Sequence, residues 1–195
     1  MTRYKIVLPL FLLAVLTSGW AQQKQEREFR IRKDQFPPVA LEAMEPFLAD
    51  ARRLRYYKEI DSARSSFELK FKLQRLWYSV EFTPEGVLED VEVRIKPVDI
   101  PDETWARMQS HMTEAFGKHR VRKIQQQYPR EAFDSVEVTM KNAFQNLLLP
   151  QLRYELVIQT RTQEGLTQYE ALYDSEGALL LLREALPPNY NHILY

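Results

Sequence analysis

The sequence predicts an α+β fold of two tandem units, each a helix packed on a four-stranded antiparallel meander sheet, with an extra helix inserted in the second unit. Three observations predict it. Of the 195 residues, 45% are hydrophobic, which is enough for a folded core. A helical spacing of apolar residues is followed by segments in which apolar and polar residues alternate. This succession occurs twice, and an arrangement of this kind is typical of a sheet covered by helices on one face.

Residues 1–21 have the composition of a secretory signal peptide. Two cations precede an apolar run from Ile6 to Leu16, and the small residues Gly19 and Ala21 stand where a signal peptidase requires them. The run is too short for a membrane span, which needs about 20 apolar residues. For a bacterial source, we therefore expect cleavage after Ala21 and a periplasmic or secreted mature chain without a membrane span.

The first unit is predicted over residues 36–99, after a flexible polar arm at 22–35. Its helix has an apolar stripe from Leu41 to Ala51, and Pro46 is expected to kink or split it. Four strands follow, and the alternation is clearest in the second of them, where charged residues face away from the apolar ones. The apolar residues of that strand are Phe67, Leu69, Phe71 and Leu73, and the charged ones are Glu68, Lys70 and Lys72.

The second unit is predicted over residues 100–187, before a tail at 188–195. Its helical stripe from Trp105 to Ala115 repeats that of the first unit 64 positions later. The basic segments that follow the helices are 67 positions apart, and the next strands are 87 positions apart. The two hairpins, each of which ends in a glycine, are 91 positions apart. Because the offset grows only at joints, we interpret the two units as a duplication with an insertion at 128–152.

The insertion is predicted to contain a helix near residues 130–148. Its apolar residues, from Phe133 to Leu147, are helically spaced between two prolines. A strand over residues 135–140 is the alternative, because apolar residues alternate there as well. The sequence leaves open whether the strands of the two units join in one sheet.

Several segments of the chain resemble a known family of exported domains. The first unit contains FPPVALEAMEPFL, FELKFKL and WYSVEFTPEGVLEDVEV, and the second contains RYELVIQ and YEALYDSEGALLLLR. In the order of these elements and in their Gly-ended hairpins, both units resemble the PepSY-like, beta-lactamase-inhibitor-protein-like domains of secreted bacterial proteins, especially those of Bacteroidetes. The resemblance implies a small exported module that binds or inhibits another protein, or senses a ligand, without catalysis.

The sequence lacks the patterns that several kinds of chemistry require. It has no Cys, which excludes disulfides and thiol nucleophiles, and its net charge of zero argues against nucleic-acid binding. Its glycines are not clustered as in phosphate-binding loops, no serine lies in a Gly-x-Ser-x-Gly motif, and His111 and His119 are eight residues apart rather than four. Acidic residues beside the hairpins, such as Asp90, are interpreted as solvated turn residues. We therefore expect no catalysis, no metal, no cofactor and no nucleic-acid partner.

The candidate binding residues are two pairs of arginines and one tryptophan. Arg53 and Arg55, like Arg120 and Arg122, stand two apart on predicted strands, so that each pair is expected to share a sheet face. Four guanidinium groups on one surface would bind carboxylates or phosphates. The alternative is that each arginine pairs with a cross-strand glutamate of its own sheet. Trp77 is expected on the face away from the helix, either as an exposed binding residue or in the seam between the units.

These expectations favour a non-enzymatic exported binding or inhibitor-like module that engages a protein or peptide partner in the envelope through exposed sheet faces. The alternative is a periplasmic carrier or sensor of an anionic small molecule or envelope glycan, since arginines and aromatic side chains bind such ligands. A broad apolar patch would favour the first hypothesis, and a deep pocket would favour the second.

Overall fold

The computed structural model describes residues 22–24, 26–61, 64–163 and 165–185; the predicted signal peptide and the predicted tail lie outside the described residues. Within these ranges the chain forms one ten-stranded sheet and three α-helices, so the α+β class with an antiparallel sheet is confirmed. The helices are α1 (Pro38–Met44), α2 (Asp102–Phe116) and α3 (Val136–Phe144). The strands are β1 (Gln22–Lys24), β2 (Glu26–Ile31), β3 (Arg52–Asp61), β4 (Arg64–Leu73), β5 (Leu76–Phe82), β6 (Leu88–Arg94), β7 (His119–Pro129), β8 (Arg153–Thr162), β9 (Gly165–Asp174) and β10 (Leu179–Ala185).

Strands β2 to β10 form an antiparallel meander in which each strand pairs with the next along the chain. Strand β1 adds in parallel to β10, at the opposite end of the strand order from β2. Only one residue separates β1 from β2 in the chain, and consecutive Cα atoms are about 3.8 Å apart. The two ends of the strand order therefore lie close together, and the sheet is strongly curled.

The pairing of β6 with β7 joins the strands that follow α1 to those that follow α2. Its register places Val91 opposite Tyr128 and Val93 opposite Gln126. The strands thus form a single sheet, which answers the question that the sequence left open.

The hydrophobic core lies between the convex face of this sheet and the helices. The helices contribute the fully buried Met44, Met108, Met112 and Met140, and the sheet contributes alternate residues of its strands. Burying one such methionine side chain stabilises the fold by about 1.5–3 kcal/mol. Most apolar strand residues face this side, and many charged strand residues face the other, where Leu172 and Leu181 also lie.

The prediction of a flexible arm at residues 22–35 is wrong in its N-terminal part. Strand β2 pairs with β3, with Phe29 opposite Lys58 and Ile31 opposite Tyr56, and Ile31 packs against the core. The segment has only two apolar residues in alternating positions, so its polar composition concealed the strand. Backbone pairing with β3 orders it.

Two helix predictions have a clear local cause. Helix α1 ends at Met44 and continues as a 3₁₀ turn over Glu45–Phe47, because Pro46 cannot donate within a helix. The helix favoured for the insertion is confirmed as α3, where Ser135 Oγ accepts a hydrogen bond from the Val138 N–H at 3.2 Å and caps the first turn.

Among the described residues, no helix is long and apolar enough to cross a membrane.

Candidate ligand-binding cavities

The face of the sheet without helices is its concave face. The prediction that this face is an exposed surface is wrong at its centre, where Glu68, Ser79 and Gln125 are only 8%, 6% and 7% exposed. The curl of the sheet is the reason, because it brings strands β3 to β10 around a common interior. This interior contains an acidic cavity and a basic cavity, and a cluster of charged side chains shares residues with both.

Lys70 holds this charged cluster together. Its Nζ lies 2.5 Å from Glu28 Oε2 and 2.7 Å from Glu68 Oε2, and Ser79 Oγ donates a hydrogen bond to Glu68 Oε1. Burial alone would raise the pKa of Glu68, but the Lys70 ammonium and the hydrogen bonds hold that pKa below its usual value. Burial alone would lower the pKa of Lys70, and the two carboxylates raise it instead. Glu68 and Lys70 therefore stay ionised as a pair.

The same cluster is the place where a metal ion would be considered. Carboxylate oxygens of Glu28, Glu59 and Glu68 lie within 4.8 Å of one another, and hard cations prefer such ligands. Lys70 already supplies a cation there. Burial, and then the neighbouring carboxylates, raise the pKa of Glu59 to about 10, so this side chain is protonated at neutral pH and hydrogen-bonds to Glu68. We therefore assign the cluster a structural role.

The acidic cavity has a volume of about 390 Å³ and is lined by more acids than cations. Two of its three arginines are ion-paired with acids of the lining, Arg64 with Glu89 at 2.9 Å and Arg153 with Glu131 at 3.1 Å. Burial, and then neighbouring carboxylates, raise the pKa of Asp90 well above its usual value. The interpretation of Asp90 as a solvated turn residue is therefore wrong, since it faces this interior from β6. The acidic residues of the lining are Glu59, Asp61, Glu81, Glu89, Asp90, Glu131, Glu155 and Glu170.

The basic cavity has a volume of about 290 Å³ and is lined by residues of the five neighbouring strands β3 to β7. Two of its four cations are engaged, Lys70 in the charged cluster and Lys123 with Nζ 3.5 Å from Glu155 Oε1. The other two, Arg55 and Arg94, form no ion pair with the described part of the chain. The lining residues are Arg55, Glu68, Lys70, Trp77, Tyr78, Ser79, Arg94, Lys123 and Gln125.

Three of the five predicted binding residues lie at the basic cavity. Arg55 and Trp77 line it, and the Arg53 guanidinium carbon lies 5.9 Å from the centre of the Trp77 ring, within the range of a cation–π contact. Trp77 is on the face away from the helices, as predicted. Arg120 and Arg122 are exposed residues of β7 outside the lining.

Each arginine pair spans a register shift of its strand, so a spacing of two residues does not by itself place both side chains on one sheet face. The register shifts between Arg52 and Arg55 on β3, where Arg53 has a φ of +60°, and it shifts between Val121 and Lys123 on β7. A β-bulge inserts one extra residue into a strand and interrupts the alternation of its side chains. Residues two apart across these bulges are therefore no longer equivalent.

The alternative, in which the arginines pair with cross-strand glutamates, is wrong for Glu68 and Glu155, the two glutamates that the sequence favoured. Glu68 pairs with Lys70 on its own strand, and Glu155 lies opposite Gln125 and near Lys123. Lysines thus pair with both glutamates, and Arg55 forms an ion pair with neither of them.

Sequence reasoning named only Arg55 and Trp77 among the lining residues of the basic cavity, and it missed Arg94, Lys123 and Gln125 among others. The available signal was alternation, because Arg94 follows the buried Val93 and because Lys123 and Gln125 flank the buried Ile124. Gln125 carries a further feature that only the structure shows. Its Nε2 donates to Glu92 Oε2, while its buried Oε1 has no hydrogen-bond partner among the described residues.

Comparison with known proteins finds similarity of structure only. No protein-family model matches the sequence, and no curated protein matches it. The fold is similar to that of a DUF2874 family protein from Bacteroides ovatus ATCC 8483, with 11% identity, coverage of 82% of this chain and 98% of that chain, and a TM-score of 0.54. It is also similar to a protein of Bacteroides eggerthii DSM 20697 provisionally described as periplasmic, with 13% identity, coverage of 76% and 88%, and a TM-score of 0.51. A BLIP-like protein from Bacteroides fragilis NCTC 9343 aligns with 9% identity, coverage of 76% and 86%, and a TM-score of 0.47. The first two similarities show a shared fold.

Proposed function

We propose that the protein binds an anionic small molecule or glycan fragment in the basic cavity and acts as a non-enzymatic exported carrier or sensor. The observation that supports this most directly is that Arg55, Arg94, Lys123 and Trp77 line one open cavity. Ligand sites are typically concave, with an apolar wall and a few polar groups that fix the orientation of the ligand.

Side chains, rather than the backbone, are the groups that would recognise the anion. The strands around the cavity are paired on both sides, with Arg55 opposite Lys70 and Ser79 opposite Glu92, so their N–H groups serve the sheet. A guanidinium group binds a carboxylate or phosphate through two parallel hydrogen bonds. Arg55 and Arg94 are the cations of the lining without an ion pair in the described residues, and the Trp77 ring would contact the rest of the ligand.

Export is part of the proposal. It is supported by the signal-peptide pattern at residues 1–21, which predicts cleavage after Ala21. The provisional description of the structurally similar Bacteroides eggerthii protein as periplasmic agrees with it.

We also infer that residues 36–99 and 100–187 are tandem copies of a PepSY-like or beta-lactamase-inhibitor-protein-like unit. Two hairpin glycines support this, Gly86 with a φ of +82° and Gly177 with a φ of +87°. A Cβ at Gly86 would lie 2.9 Å from Val39 Cβ in α1, and one at Gly177 would lie 2.7 Å from the Thr104 carbonyl oxygen in α2. In each half, the hairpin therefore packs under the first turns of the helix of that half.

A protein or peptide partner in the envelope is the second candidate. The observation that favours it is the exposure of Arg53, Arg120 and Arg122 on the same strands that supply Arg55 and Lys123 to the cavity. Exposed cations at a rim steer an acidic partner toward its docking position. In this form of the hypothesis, the partner meets the rim of the basic cavity rather than a broad open sheet face.

A thermal-shift titration of residues 22–195 with citrate, D-galacturonate and inorganic phosphate tests the anion site. A ligand that binds only the folded state raises Tm with concentration. We expect the shift in the wild type and in Arg122→Ala, which is the matched control, and its loss in Arg55→Ala. No shift with any of the three anions would refute the proposed function, and conversion of a bound ligand, followed by NMR, would refute its non-enzymatic character.

A further inference from the structure

The net charge of zero conceals a separation of charge along the strands. In the antiparallel meander, β3, β5 and β7 begin at the end of the sheet where β4 and β6 end, and the pairs Arg52–Lys72 and Arg94–Gln125 lie there. Exposed cations collect at this end, which we call the basic end. They are Arg52, Arg53, Arg55, Arg75, Arg94, Lys96, Lys118, Arg120 and Arg122.

The cations of the basic end form no ion pair with the described part of the chain. Arg52 lies directly opposite Lys72, and like charges in that position destabilise a strand pair. The exposed acids that flank these cations in the sequence, Asp50, Asp99 and Glu114, are fewer. The basic end therefore keeps a positive surplus that a negative surface would neutralise.

The opposite end of the sheet, which we call the acidic end, has the reverse surplus. The hairpins β3–β4, β5–β6 and β9–β10 lie there, and the first turn of α2 joins them, since Thr104 Oγ1 donates to the Ser175 carbonyl oxygen at 3.0 Å. The exposed cations Arg64 and Arg107 are ion-paired with acids of this end at 2.9 Å and 3.6 Å. The exposed acids are Glu85, Asp102, Glu103, Glu131, Asp134 and Glu176.

The two ends are too far apart to neutralise each other within one molecule. Strands β5 and β3 have seven and ten residues, which at about 3.3 Å per residue separates their ends by about 23–33 Å. The Debye length at physiological ionic strength is only about 8 Å. Each surplus is therefore available to another molecule, and a second copy of the chain presents both.

We propose that copies of this chain associate end to end, with the basic end of one copy against the acidic end of the next. A molecule with a net charge near zero does not repel its copies as a whole, so the local complementarity decides. The contact uses two different surfaces, so each added copy leaves one of each free and the association is open-ended. This inference is independent of the proposed anion site.

Sedimentation velocity of residues 22–195 at pH 7 tests the inference. At about 10 mM NaCl, where the Debye length is about 30 Å, the weight-average sedimentation coefficient should rise with protein concentration beyond that of a dimer. At about 1 M NaCl, where the Debye length is about 3 Å, it should stay at the monomer value. A monomer at both salt concentrations, a plateau at the dimer, or association that survives 1 M NaCl would overturn the inference.

Two arginines provide a matched pair of variants. Arg52→Glu and Arg64→Glu change the net charge equally, but Arg52 lies at the basic end and Arg64 at the acidic end, and both are exposed. At low salt, Arg52→Glu should weaken the association at least threefold. Arg64→Glu should leave it unchanged or strengthen it, because a cation is removed from the acidic end. Equal weakening by both would show that only the net charge matters, and would overturn the end-to-end contact.

Two glutamates give the reciprocal pair. Glu85→Lys at the acidic end should weaken the association at least threefold, whereas Glu114→Lys, in the last turn of α2 beside the basic end, should leave it unchanged or strengthen it. Equal effects of these two variants would likewise contradict the proposal. Circular dichroism verifies that each variant is folded, and should one pair fail to fold, the other pair and the salt dependence of the wild type decide.

Discussion

Replacing Glu59 by Gln should stabilise the protein at pH 7.5 and leave its stability at pH 4.5 nearly unchanged. Glu59 hydrogen-bonds to Glu68, and burial together with neighbouring carboxylates raises the pKa of Glu59 to about 10, against an ordinary value of 4.5. Because the folded state has the higher pKa, the stabilisation from this group is fully present below pH 4.5. It is lost progressively as the pH rises toward 10.

The expected magnitude follows from the same pKa values. Each pH unit between them removes about 1.4 kcal/mol of folding free energy. From pH 4.5 to 7.5 this sets an upper limit of about 4 kcal/mol, and we expect about 2 kcal/mol because solvent reaches part of the side chain. Glutamine avoids this loss, since its amide N–H donates to Glu68 and its charge does not depend on pH.

Urea unfolding at pH 4.5, 6.0 and 7.5, followed by tryptophan fluorescence, measures the difference. The control is Glu114→Gln on the exposed side of α2, which should match the wild type at every pH. An equal change at pH 4.5 and 7.5, or a destabilised variant at pH 7.5, would refute the assignment of a protonated Glu59.

Three further substitutions test the packing of the sheet and its charges, each by urea denaturation. Gly177→Ala should lower the free energy of unfolding by about 2–4 kcal/mol, because its Cβ would lie 2.7 Å from a carbonyl oxygen of α2. The control is Gly117→Ala, whose Cβ meets nothing within 4 Å and which should lower it by about 1 kcal/mol. Equal losses would argue against the contact. Arg75→Gly should raise the free energy of unfolding by about 1 kcal/mol, since Arg75 has a φ of +118° that glycine adopts without strain. A lower free energy of unfolding would contradict this. Lys70→Met should lower the free energy of unfolding by about 3 kcal/mol, because it leaves Glu68 buried beside another carboxylate. Wild-type stability would show that the ion pair of Lys70 with Glu68 is dispensable.

Much of the fold is readable from the sequence because its elements have strong periodicity. The stripe that begins at Trp105 and the alternation from Phe67 to Leu73 each report which side of an element is buried, and both elements are present as predicted. Strand β2 was missed because its order comes from pairing with β3, and such pairing leaves little trace in composition.

The candidate site was only partly predictable for a different reason. Alternation places Trp77 and Lys70 on the face away from the helices, but it does not report curvature. Whether that face is flat and open or folded around cavities depends on pairing between distant strands and on bulges such as the one at Arg53. The sequence therefore indicated that the arginines form a binding surface, but it did not predict which of them line the cavity and which lie outside it.

The pairing of β1 with β10 has a consequence for how the molecule is assembled. It pairs Gln22 with Arg183, so β1 finds its partner only when the chain out to residue 183 is present and the strands between them have formed. Closing so long a loop is entropically slow, and an unpaired strand that waits is a target for aggregation. The Gln22-Gln23-Lys24 sequence of β1 suits that delay, since a hydrophilic segment stays soluble until its late partner arrives.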